Sequence, residues 1–158
     1  MHTRFMPLIS ILAIAAVTPA CDDGGPDDDR YEATLSGSNE VDPNDSEATG
    51  TAVFTDRGGS FDYRIDVQNI DMPTAAHIHV GVAGVNGGVV VPLFSTNSPV
   101  ADFSGRLVAG SFTAADIVAT SSLSFEGLRD LMRTGGVYVN VHTDANLAGE
   151  IRGQIVPD

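Results

Sequence analysis

Three histidines, His77, His79 and His142, are the residues of this chain whose type and spacing could do chemistry. The first two lie one residue apart in the stretch Ala75 to Phe94, AAHIHVGVAGVNGGVVVPLF. In a β-strand such residues project from one face, with Cα atoms about 6.5–7 Å apart, so both imidazoles can converge on one ion. His142 closes the run VYVNVH, where Val137, Val139 and Val141 share a face opposite Tyr138, Asn140 and His142. If both strands turn their valines inward, the three imidazoles stand together on the outer face. Three neutral imidazoles with an open coordination position suit copper or zinc. The neutral form predominates near pH 7. A structural use is also open, with His77 bonded to a turn and His142 paired with Asp144 or Glu150.

The elements that must position these residues are read from period-two alternation. Tyr31 to Leu35 predicts a first strand, residues 37–49 a polar loop, and Gly50 to Thr55 a second strand. Asp56-Arg57-Gly58-Gly59 is a turn signal. Beyond it Phe61, Tyr63, Ile65 and Val67 alternate with Asp62, Arg64, Asp66 and Gln68, as in a strand with one wet face. Asp71-Met72-Pro73 breaks the chain before the histidine strand, in which Ile78, Val80 and Val82 are expected to point inward. Val89 to Phe94 and Phe103 to Phe112 predict two further strands, followed by Val137 to His142 and Gly149 to Val156. Thr113-Ala114-Ala115-Asp116 resembles a capping box opening a helical turn through Ala119. Phe125, Leu128, Leu131 and Met132 form an apolar stripe at helical spacing that ends at Gly135. The stripe reads as a lid on the core or, alternatively, as a surface for a protein partner. The whole predicts an all-β domain, an antiparallel β-sandwich or flattened Greek-key barrel with one or two short helices.

The first 20 residues read as an export signal, with His2 and Arg4 before the apolar run Leu8 to Val17. Pro19-Ala20 precede Cys21, the only cysteine, and the acidic segment 22–29 follows as a self-repelling tether. Such a short apolar run does not span a bilayer core of about 30 Å. Removing residues 1–20 takes away Arg4 and no acid, which leaves 7 basic and 21 acidic residues and a net charge of −14. The chain has no lysine. This charge disfavours nucleic acid and anionic lipid surfaces as partners and is compatible with cations. The glycines at 81, 84, 87 and 88 follow a strand, as phosphate loops do, but Val89-Val90-Val91 demands another strand rather than a helix N-terminus. No nucleophile elbow, Cys/His pair or carboxylate pair for hydrolysis is present.

Cys21 after a small residue, followed by DDGGPDDD, resembles a bacterial lipoprotein signal, although Thr18-Pro19-Ala20 departs from the usual leucine-led pattern. That resemblance implies acylation at Cys21 and anchoring to a membrane facing the periplasm or the exterior. An ordinary secretory signal would leave the protein secreted instead. LSGSNEV, ATGTAVF, AAHIHVGVAGVNGGVVVPLF and VYVNVHTDANLAGEIRGQI together resemble the chordin-type (CHRD) domain over nearly all of Tyr31 to Pro157. Asp42 stands where that family usually has proline. The resemblance implies an all-β extracellular module over 30–158 with no established reaction. The order His-x-His, a later Val-His and then Gly-x-x-Arg is also similar to the copper half of copper/zinc superoxide dismutases. That likeness implies copper ligation by His77, His79 and His142, with Arg152 guiding an anion. No further histidine is available to bridge to zinc, since His2 lies in the signal. The expectation is a lipid-anchored envelope module that binds or supports, or else a copper or zinc protein.

Overall fold

The computed structural model describes residues 29–158. The expected export signal, Cys21 and the tether up to residue 28 lie outside the described residues.

Alternating apolar and polar residues make a run of antiparallel strands: β1 (Arg30–Ser36), β2 (Thr49–Asp56), β3 (Ser60–Ile70), β4 (Pro73–Val80), β5 (Val89–Ser95), β6 (Phe103–Thr113), β7 (Val137–Thr143), β8 (Ile151–Gln154) and the short β9 (Val156–Pro157). They form one sheet in the order β5-β4-β7-β8-β1-β2-β3-β6, with β9 on β1. The sheet curls until its ends approach. The Tyr63 hydroxyl on β3 donates to the Leu93 carbonyl on β5, 2.8 Å away, although the two strands lie at opposite ends of the sheet. The result is the expected antiparallel β architecture, in the form of a nearly closed barrel with one α-helix.

Inward residues of every long strand fill the interior. Phe54, Phe61, Ile65, Val67, Ile78, Val139, Val141 and Ile151 are fully buried. At one end Phe61 packs against Phe112 and Phe125 at ring separations of 5.3 and 5.4 Å. Phe125 belongs to α1 (Phe125–Thr134). Ser124 caps its first turn, and Gly135, at φ 67°, ends it in the left-handed conformation that glycine adopts without strain. Leu128 and Met132 are fully buried, while Phe125 and Leu131 pack against the core edge. The stripe is therefore a lid. Arg129 fastens it by an ion pair to Asp56 at the end of β2.

Two local expectations change. The Thr113–Asp116 capping box is present, yet it opens only a single 3-10 turn, Ala114–Asp116. The chain then extends so that the Val118 N–H can reach the Val90 carbonyl on β5 at 2.8 Å, and pairing with a strand wins over helix propagation. In the histidine strand, only Ile78 of the three expected inward residues is in the core. β4 ends at Val80, the chain leaves the sheet at Gly81, and Val80 and Val82 are 38% and 56% exposed.

Candidate functional site

β4 and β7 are adjacent antiparallel strands, with His77 opposite Asn140, His79 opposite Tyr138 and Ala75 opposite His142. Ala76, Ile78, Val139 and Val141 face the core from these strands. Alternation therefore puts His77, His79 and His142 on the other face, where the diagonal offset brings His142 beside His77. One nitrogen from each ring lies within 4.8 Å of the others. His77 Nδ1 and His142 Nε2 are 3.1 Å apart.

Backbone carbonyls fix two of the tautomers. His79 Nδ1 lies 3.0 Å from the Gly87 carbonyl, and His142 Nδ1 lies 3.0 Å from that of Leu147. A carbonyl only accepts, so both Nδ1 atoms carry the proton and both Nε2 atoms carry a lone pair. His142 Nε2 then accepts from His77 Nδ1. His79 Nε2 is buried and has no hydrogen-bond partner. Burial holds all three imidazoles below their usual pKa, His77 down to about 4 with further repulsion from His142 and His79. The Gly87 and Leu147 carbonyls offset part of the effect at His79 and His142. At neutral pH the cluster is uncharged and rich in lone pairs. Nitrogens about 2.0 Å from one ion stand about 3.3–3.5 Å apart, so a gap of 4.8 Å would need to close by about 1.3–1.5 Å.

The glycine-rich segment between β4 and β5 folds back over this face. Its Gly87 N–H donates to the Tyr138 hydroxyl at 3.2 Å, while its carbonyls at Val82 and Val85 and the Asn86 side chain accept from Arg152. Arg152, on β8 opposite Asn140, is 1% exposed. Guiding an anion requires a charge that faces solvent, whereas this guanidinium is committed to the loop and covers the Tyr138 ring at 3.4 Å. Nor does His142 pair with Asp144 or Glu150. Glu150 accepts instead from Ser46, Thr143 and Asn146. The turn contact expected of His77 belongs to His79.

Four residues at or beside the histidine face were given no site role from the sequence. Tyr138 is 3% exposed and stacks on His79, with ring centroids 5.0 Å apart and planes within 9°. Asn140 is 2% exposed and donates to Glu40 at 2.7 Å. Burial pushes the Glu40 carboxyl up to about 7, against the opposing pull of Arg152. Asn86 is the fourth. Sharing a face with His142 marked Tyr138 and Asn140 in the alternation of β7. Glu40 and Asn86 lie within the quoted sequence blocks, but no periodicity marked them; Glu40 comes from a loop 100 residues before Asn140, and Asn86 from the loop that directly follows the histidine strand.

A nearly closed antiparallel barrel with a polar, histidine-bearing outer face defines an all-β module. The family profile of the CHRD domain matches residues 31–155. The chain belongs to the CHRD-domain family. No curated protein matches the sequence. Among the described residues, no helix is long and apolar enough to cross a membrane.

Proposed function

We propose that this CHRD domain binds one copper or zinc ion through His77 Nδ1, His79 Nε2 and His142 Nε2, and that it is displayed at the cell envelope on a lipid attached to Cys21. The observation that carries the ion is the buried Nε2 of His79, a lone pair with no partner on one of three clustered imidazoles. A buried acceptor left unpaired costs about 1–3 kcal/mol, which coordination would recover. The carbonyls of Gly87 and Leu147 supply the outer-shell contacts that orient metal-bound imidazoles. His77 needs only to move its proton from Nδ1 to Nε2. His77 and His142 are partly exposed, which leaves an approach from solvent.

The test is titration of the full chain, purified in detergent, with Cu(II) and Zn(II), beside His79→Ala and His142→Ala. Sub-micromolar binding that each substitution weakens at least tenfold is expected. Affinity weaker than micromolar, or unchanged in both variants, removes the ion. The chain would then be a binding or structural module in which His79 and His142 pin two loops. The anchor is tested by labelling with palmitate. Incorporation that persists in Cys21→Ser rules that residue out.

A further inference from the structure

Arg152 is a buried cation that makes no salt bridge among the described residues. No carboxylate among the described residues lies within ion-pair distance of it, and its guanidinium is held by the Asn86 amide oxygen and two backbone carbonyls. No salt bridge therefore neutralises this buried charge directly, and its field reaches neighbouring groups, Glu40 among them. The charge acts on the histidines through Tyr138. That ring stands on β7 between His79 on β4 and Arg152 on β8. The guanidinium carbon is 3.4 Å from the Tyr138 ring centre, and that centre is 5.0 Å from the His79 ring. The positive charge thus sits within roughly 8 Å of the His79 ring, across stacked and buried groups, where Coulomb energies remain substantial. The same charge opposes a proton on His79. In a chain with 21 acidic residues, the three-imidazole group includes no carboxylate.

We infer that the three-histidine site selects a monovalent ion, Cu(I), over divalent ions, with the buried Arg152 guanidinium as the residue that sets the preference. The inference rests on the metal-binding reading above. Cu(I) and Zn(II) are both d¹⁰ ions but differ in softness as well as in charge, so the quantity that reports charge is the change in their affinity ratio between variants that keep the three imidazoles. Neutral imidazoles give a divalent ion no compensating negative charge, and repulsion by Arg152 scales with the ion's charge. Glu40 is the nearby group that can offset Arg152, and the interaction lowers its own carboxyl pKa. Binding is therefore compared near pH 6, where a carboxyl pushed up to about 7 is mostly protonated.

The probes are Cu(I), added anaerobically against a chromophoric cuprous chelator, and Zn(II), against a zinc dye, on the full chain in detergent. Arg152→Gln removes the charge. It is expected to tighten Zn(II) by about tenfold and Cu(I) by only about threefold, because repulsion is proportional to charge. Arg152→Lys, which keeps the charge, should leave the ratio of the two affinities near that of the wild type. Asn86→Asp keeps the acceptor in place and gives Arg152 an anion, so it should shift the ratio toward Zn(II) without disturbing the stack. A structural role for Arg152 predicts the opposite sign, with both ions weakened together in Arg152→Gln and in Arg152→Lys. That result overturns the inference, as does an unchanged ratio in Asn86→Asp should Arg152→Gln fail to fold. If wild type binds neither ion, the site itself is wrong and this inference goes with it. If it binds both but the ratio resists every variant, the site stands and only the role of Arg152 falls.

Discussion

At His77 burial holds the imidazole at about 4, below the 6.5 of an exposed ring. The unfolded chain therefore takes up this proton first as the pH falls. The stability is complete above about 6.5 and is lost as the pH drops toward about 4. Glu40 has the opposite sign. Its carboxyl lies at about 7 in the fold against 4.5 when exposed, so the protonated form contributes stability below about 4.5 that is lost as the pH rises through 7. The two effects oppose each other across the same window. Glu40→Gln is expected to unmask the histidine effect, with Tm rising more steeply from about pH 4.5 to 6.5 than in wild type. Thermal melts at both pH values check this, and an equal slope in the two proteins would remove Glu40 from the account. The histidines and their shared face were legible from residue types and alternation alone. The protonation states were not, since they depend on which carbonyl each ring meets.

At the scale of elements, the loop between β4 and β5 holds His79 in place, and its path depends on Gly87. A Cβ on that residue would lie 1.6 Å from the Val80 carbonyl oxygen, a backbone atom that cannot swing aside. Gly87→Ala must therefore displace the loop and break its bond to His79, while the sheet beneath stays paired. The expected outcome is a folded protein by circular dichroism whose Zn(II) affinity falls at least tenfold. Unaltered affinity would show that the loop does not orient His79. For α1, Leu128 is fully buried, so Leu128→Ala should cost about 2–5 kcal/mol in chemical denaturation. A loss below about 1 kcal/mol would return the helix to the role of a partner surface. Helical spacing made this helix and its Gly135 stop readable. The turn after Thr113 was over-extended because the local capping signal carries no trace of the β5 edge that draws Val118 away.

For the whole molecule, the barrel is filled by apolar residues from every long strand, and the histidines lie outside that interior. A metal at the proposed site would then be a ligand of a folded protein rather than a condition of folding. Saturating Zn(II), at about a hundred times its dissociation constant, should stabilise by about 2.7 kcal/mol, and a chelator should return the melt to the metal-free curve. Loss of the cooperative transition on adding chelator would contradict a self-sufficient core. The sequence by itself determined that the chain is an antiparallel β module and which residues share a face, because side-chain alternation is a local property with period two. It also carried the paired blocks around the histidines that mark the CHRD family. Only the tertiary structure decided that β4 and β7 are neighbours, that His77 and His142 meet across 65 residues of chain, and that Arg152 is sealed beneath a loop. Strand order and loop path depend on contacts between residues far apart in sequence, and a period of two identifies faces without naming the strand that will lie alongside.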